Sequence, residues 1–137
     1  MEFALVLPFL LLLILGLIQY GFYFWSMQGG SSAAREAARR GAVGEPATCT
    51  SFRTYVRDRI GSAGDAGTAT ITRTYTTPAG APRAAADVEV GDLVKVRVEF
   101  DSYDMNIPFL PFVDDGQVKQ SAEARVEYVR TAPEECA

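Results

Sequence analysis

Histidine is absent from the 137 residues. That removes His-based triads, His general bases and His metal ligands together. Cysteine is scarce: Cys49 and Cys136 stand alone, and their spacing fits no CxxC metal or redox pattern. No basic stripe exists either. The net charge is −4 with both signs interspersed, so nucleic acid is not an expected partner. All the cationic residues except Lys95 and Lys119 are arginine. The chain carries no phosphate-cradling glycine motif, nucleophile elbow or zinc pattern. Asp101, Asp104, Asp114 and Asp115 lack the spacing of a calcium loop. These absences point away from an enzyme and away from any cofactor or metal.

Charge is also missing where it matters most. Between Glu2 and Arg35 there is none. Phe3–Trp25 is an uncharged apolar run that spans about 34 Å as a helix, enough to cross a hydrocarbon core of about 30 Å. A cleaved secretory signal would be shorter and would start with Lys or Arg. A core helix of a soluble domain would need more covering chain than is present. The small residues Gly29 to Ala34 could mimic a cleavage region, but a retained membrane helix is the best reading. Tyr20, Phe22, Tyr23, Phe24 and Trp25 crowd one end of it as an interfacial aromatic belt.

The expected organisation is a transmembrane helix over 1–25, an extramembrane continuation over 26–44, and a small α+β domain over 45–137. Gly29-Gly30-Ser31-Ser32 weakens the helix, but Ala33, Ala34, Ala37 and Ala38 form a small-residue stripe beyond it. Glu36 and Arg40 make an i,i+4 pair. Gly41, Gly44 and Pro46 read as the stop, near residue 42. Pro8 removes one ladder hydrogen bond inside the run and predicts a kink or a local loosening.

A short second helix is expected over 51–60, with Phe52, Tyr55, Val56 and Ile60 on one face. Strands follow at 69–76, 92–100 and 118–129, each alternating apolar with polar residues. The 92–100 strand sets Val94, Val96, Val98 and Phe100 against Leu93, Lys95, Arg97 and Glu99. Together these predict a small antiparallel sheet packed on helix. Between strands, Pro108–Phe112 is an apolar connection expected to fold back on the core; exposed, it would be a contact patch. Asp114-Asp115-Gly116 reads as a turn.

Cys49 and Cys136 lie at the two ends of the polar part. Paired, they would tie the chain's tail to the segment after the long helix and stabilise the domain by roughly 4–5 kcal/mol in the chain-entropy model. The alternative is two unpaired core thiols. A disulfide implies an oxidising, extracytoplasmic compartment.

Glu2-Phe3-Ala4-Leu5-Val6-Leu7-Pro8 resembles the N-terminal signature of the TadE-like minor pseudopilins of bacterial tight-adherence (Tad/Flp) pilus systems. Gly16 and Gly21 in the apolar stretch match too, as does Ala34-Arg35-Glu36-Ala37-Ala38-Arg39 after it. Gln120–Glu127 looks like that family's closing strand. The resemblance implies a pilin-like fold and a non-enzymatic protein of the bacterial cytoplasmic membrane. It would be single-pass, with its C-terminal domain extracytoplasmic, and would support a thin adhesive pilus or enter it. Implied partners are membrane lipid, pilus subunits, other pseudopilins and assembly-platform membrane proteins. Prepilin peptidase joins them if a leader lies upstream.

Only Met1 precedes Glu2, without a basic leader or a cleavage glycine. The expectation is a true start further upstream. Taken alone, the positive-inside rule would put the domain in the cytoplasm, because Arg35, Arg39 and Arg40 follow the helix and nothing basic precedes it. The resemblance and the disulfide imply the reverse.

Glu2 matches the glutamate found five residues into mature pilin-like chains, where it is thought to meet the N-terminal amine of a neighbour. A charge in low dielectric is costly unless paired, so a partner amine would favour assembly. The plainer reading is a carboxylate held by the helix dipole and wetted at the headgroups. Phe3 and Pro8 belong to the same signature. Gly16, Gly21 and the alanine stripe offer close helix approach, and Gln19 offers a hydrogen bond across helices. The alternative function is a single-pass, membrane-anchored extracytoplasmic module that binds or senses a ligand.

Overall fold

The computed structural model describes residues 2–107, 113–129 and 132–136. Met1 and the Pro108–Phe112 connection lie outside the described residues. One continuous helix, α1, runs Glu2–Gly41. It passes through Pro8 and through Gly29–Ser32 without a break. A short helix α2, Cys49–Ile60, follows. Thr48 caps it, its Oγ1 accepting from the Ser51 N–H. Gly61, at φ 52°, closes it by donating to the Arg57 carbonyl.

Four strands follow: β1 Asp65–Thr76, β2 Pro82–Arg83, β3 Leu93–Asp101 and β4 Gln117–Arg125. They form one antiparallel sheet in the order β2-β1-β3-β4. The architecture is α+β, with a long helix and a short one on one side of a small sheet, as the sequence predicts.

The main differences from expectation lie in three strands. β1 begins earlier, at Asp65, with a bulge between Asp65 and Thr70. β2 is too short for its alternation to be visible. β4 ends at Arg125, because the N–H groups of Glu127 and Tyr128 turn to the Ala42 carbonyl at the end of α1 (2.9 and 3.4 Å). Tyr128, which unbroken alternation from Ala122, Ala124 and Val126 would put on the apolar face, is therefore exposed.

The sheet has one dry face. Ala69, Ile71 and Tyr75 of β1, Val94, Val96, Val98 and Phe100 of β3, and Val118 of β4 are buried beneath the helices. α1 lies mainly over β3 and β4, and α2 over β1. From α2 come Phe52, Val56 and Ile60, all essentially inaccessible. Burying side chains of this size contributes about 1.5–3 kcal/mol each. The opposite face stays wet. Lys95 and Glu123 stand directly across from each other and form an ion pair at 2.9 Å, while the Arg97 Nε donates to Glu99 at 2.6 Å. The alternation read in β3 is thus the alternation between helix and solvent.

Candidate assembly interface

α1 changes character along its length. From Phe3 to Ile18 its large side chains are exposed all round, from Phe3 at 75% to Leu15 at 39%. Among the described residues, no element covers them. Glu2 is the first helical residue, and Pro8 sits one to two turns in. The helix is long and apolar enough to cross a membrane. Gly16 is buried and Gly21 exposed. A Cβ on Gly21 would meet nothing within 4 Å, so this chain's own packing does not require glycine there.

Among the described side chains, Gln19 is the first long one of α1 to be buried. Gln19 is 2% exposed, and its amide is engaged inside the chain. Its Nε2 donates to the Tyr103 carbonyl and to Asp104 Oδ1, both at 3.3 Å, and its Oε1 accepts from the Met105 N–H at 3.1 Å. Its hydrogen bonds therefore go to the loop after β3. One and a half to two turns further, buried Ser26 accepts from the Ser102 hydroxyl at 3.0 Å and donates to the Phe22 carbonyl at 2.9 Å. These two polar contacts fasten the loop after β3 along α1.

Beyond Ser26 the small residues take over. A Cβ on Gly29 would collide with Ala63, and one on Gly30 would lie 2.8 Å from the Phe100 ring. Ala33, Ala34, Ala37 and Ala38 are buried against the sheet. Gly30 is where the helix backbone approaches β3 and β4, and Gly29 is where it approaches Ala63 in the turn after α2. The sequence signal was present, but composition alone reads Gly-Gly as a weak point in a helix. Glu36 and Arg40 approach to 3.8 Å, and Glu36 also accepts from the Tyr55 hydroxyl at 3.1 Å.

The tail is held by a residue that the sequence reading passed over. Arg73 lies mid-β1 on the dry face and is fully buried. Its Nη1 donates to the Pro46 carbonyl at 2.9 Å. Its Nη2 donates to the carbonyls of Ala47 and Glu134 at 3.1 and 2.6 Å. The guanidinium lies 4.3 Å from the Phe52 ring centre. Burial lowers the Arg73 pKa, opposed by nearby Tyr75 and Glu134. Burial likewise raises the Tyr75 pKa, which the Arg73 charge partly offsets. Beside this cluster Cys49 and Cys136 form a disulfide, with their Cα atoms 5.4 Å apart. The signal for Arg73 was its position in the alternation Ala69, Ile71, Arg73, Tyr75, which puts it on the apolar face.

At the far end of the sheet, Asp92 is buried and accepts from the Glu89 N–H at 2.9 Å. That bond, with help from Arg83 at 3.0 Å, lowers its pKa. Among the described residues, no group of three or more His, Cys, Asp or Glu side chains is placed to hold a metal. A shallow open groove runs between α1 and β4, lined by Phe24, Met27, Gln28, Ser31, Arg35 and Gln120.

The model of the family described as TadE-like protein matches residues 1–39, which is nearly the whole of α1. The resemblance read from the N-terminal signature is borne out over that segment. No curated protein matches the chain, and no solved structure does.

Proposed function

We propose that this protein is a non-enzymatic minor pseudopilin that supports the assembly of a tight-adherence pilus from the bacterial cytoplasmic membrane. The observation that carries the reading is the division of α1. The family match falls on this helix, and the part from Phe3 to Ile18 is apolar, helical and exposed at its large side chains. A helix of that kind is stable in lipid, or against other apolar helices.

In this reading Phe3, Pro8, Gly16 and Gly21 belong to the surface that meets pilus subunits, other pseudopilins or assembly-platform membrane proteins. Glu2 meets a partner's amine. Gln19 serves this surface indirectly, by fixing the loop after β3 against the helix. The Cys49–Cys136 disulfide supports an extracytoplasmic domain, because such bonds persist in oxidising compartments.

The test is photo-crosslinking in the native membrane from a benzophenone amino acid at Leu11, with Val90 as the control position on the domain surface. Adducts with pilus subunits or assembly-platform proteins from position 11, and their loss in Glu2→Ala, are the expected result. Lipid adducts alone from position 11 would overturn the assembly role. N-terminal sequencing of the extracted protein tests whether prepilin peptidase acts on it.

A further inference from the structure

Two contacts fix how the chain leaves the sheet. Ser102, just after β3, meets Ser26 of α1, and Met105 meets Gln19. Between these contacts the loop descends about 10 Å along the helix, toward the N-terminal end of α1. Its polar groups near the lower contact are engaged: Asn106 N–H donates to Asp104 Oδ1 at 2.7 Å, and Asp104 Oδ1 and the Tyr103 carbonyl accept from Gln19. The side chains of Tyr103 and Met105 remain outside, 47% and 40% exposed. On the neighbouring helix surface Ile18, Phe22, Phe24 and Trp25 are also exposed.

This placement limits where a bilayer can begin. If the hydrocarbon boundary lay at Trp25, the loop would sit about 9 Å below it. Irregular backbone exposed to lipid and the Asp104 carboxylate would then be in the apolar core. Both are strongly disfavoured there. If the boundary lay well short of Ile18, a turn or more of apolar helix would stand in water beside exposed Tyr103 and Met105. The depth that satisfies both limits puts the boundary at Gln19, so that the part in hydrocarbon is the Phe3–Ile18 stretch, about 24 Å of helix, rather than the whole run to Trp25. Phe22, Phe24 and Trp25 then lie among the headgroups, where aromatic rings are favoured.

We infer that the Tyr103–Met105 loop is a second membrane contact, seated in the lipid headgroup interface beside α1 at the level of Gln19, so that the domain rests on the bilayer in a fixed orientation. This rests on the membrane placement of α1 in the proposed function. The ligand is the bilayer surface itself. The contact is apolar and aromatic, with no cationic side chain among Tyr103, Asp104, Met105 and Asn106, so it does not require anionic lipid.

Trp25 is the chain's one tryptophan, which makes the test direct. The full-length protein is reconstituted in phosphatidylcholine vesicles and quenched by acyl-brominated lipid or by aqueous iodide. Three proteins are compared: the native chain, Met105→Trp in a Trp25→Phe background, and Val90→Trp in the same background. Val90 is exposed near the opposite end of the domain, next to the segment that meets Ala42. Tyr103→Trp serves if Met105→Trp does not fold.

The expected result is acyl-bromine quenching, a blue-shifted emission and loss of iodide quenching at position 105, weaker acyl-bromine quenching and partial iodide protection at Trp25 among the headgroups, and Val90→Trp open to iodide. Position 105 as open to iodide as position 90, with Trp25 still lipid-quenched, overturns the seating and leaves the membrane helix standing. Trp25 and position 105 both as open to iodide as position 90 overturns both. Protection at position 105 that disappears on dilution into excess lipid means a second copy covers the loop, and also overturns the seating.

Discussion

Arg73 donates a 2.6 Å hydrogen bond from Nη2 to the backbone carbonyl of Glu134, joining the middle of β1 to the tail of the chain. The same guanidinium holds the carbonyls of Pro46 and Ala47, so it ties the link between the helices to the tail. Replacing Arg73 with Leu leaves three carbonyl oxygens without that donor. The expected loss of domain stability is about 3 kcal/mol, because hydrogen bonds to charged groups contribute about 1.5–3 kcal/mol each and part of the arginine's desolvation is relieved. Arg73→Lys keeps the charge but not the fork, and recovers only part of the loss. Denaturant titration of the full chain in detergent, followed by near-UV circular dichroism, measures both.

The Cys49–Cys136 disulfide pins the same tail across a sequence separation of 87. Cys49→Ser with Cys136→Ser is expected to lower stability by about 4 kcal/mol in the chain-entropy model. Combined with Arg73→Leu, the loss should be smaller than the sum of the two. Once the tail is released by one change, less remains for the other to release. A strictly additive triple variant would show that the two fastenings act independently.

Tyr75 gives a prediction in pH. Its hydroxyl is buried and has no hydrogen-bond partner among the described residues. Burial raises its pKa. A group whose folded pKa lies above its unfolded value contributes fully below the unfolded pKa. That contribution is lost as pH rises through the folded pKa. Stability should therefore fall above about pH 10, the ordinary tyrosine value. Tyr75→Phe removes this part of the fall. At neutral pH it should be neutral or stabilising by up to about 1 kcal/mol, since it deletes an unpaired buried group. Thermal melts from pH 7 to 11 on both proteins check the slope and its sign.

The helices and the centres of the three longer strands were legible, because their periodicity reflects one local choice repeated: lipid or sheet against α1, helix against β3. What escaped depends on contacts distant in sequence. The alternation places Arg73 on the apolar face, but the carbonyls that satisfy it, those of Pro46, Ala47 and Glu134, lie 26 or more positions away. Gln19 offers the same amide to a partner helix or to its own loop, and the loop lies more than 80 positions away. The end of β4 is set by the Ala42 carbonyl, which no pattern within 117–129 reveals. The disulfide pairing followed from there being only two cysteines, so no alternative connectivity competed.

The two halves of α1 should respond oppositely to the same substitution. Alanine favours a helix over glycine by about 1 kcal/mol. At Gly30 that gain is overridden. The new Cβ would lie 2.8 Å from Phe100 Cε1 and 3.2 Å from Val118 Cγ1. The Phe100 ring cannot yield freely, because it is packed against Gly64 on its other edge. Gly30→Ala is therefore expected to destabilise the domain, with about 1–3 kcal/mol typical of overpacking. At Gly21 the Cβ meets nothing within 4 Å, so Gly21→Ala should leave domain stability intact. If α1 meets pilus partners through this exposed glycine, the added methyl widens the helix contact and reduces crosslinking from Leu11. Denaturant titration separates the two glycines. Crosslinking then decides the role of Gly21: unchanged adducts in Gly21→Ala would take that residue out of the assembly surface.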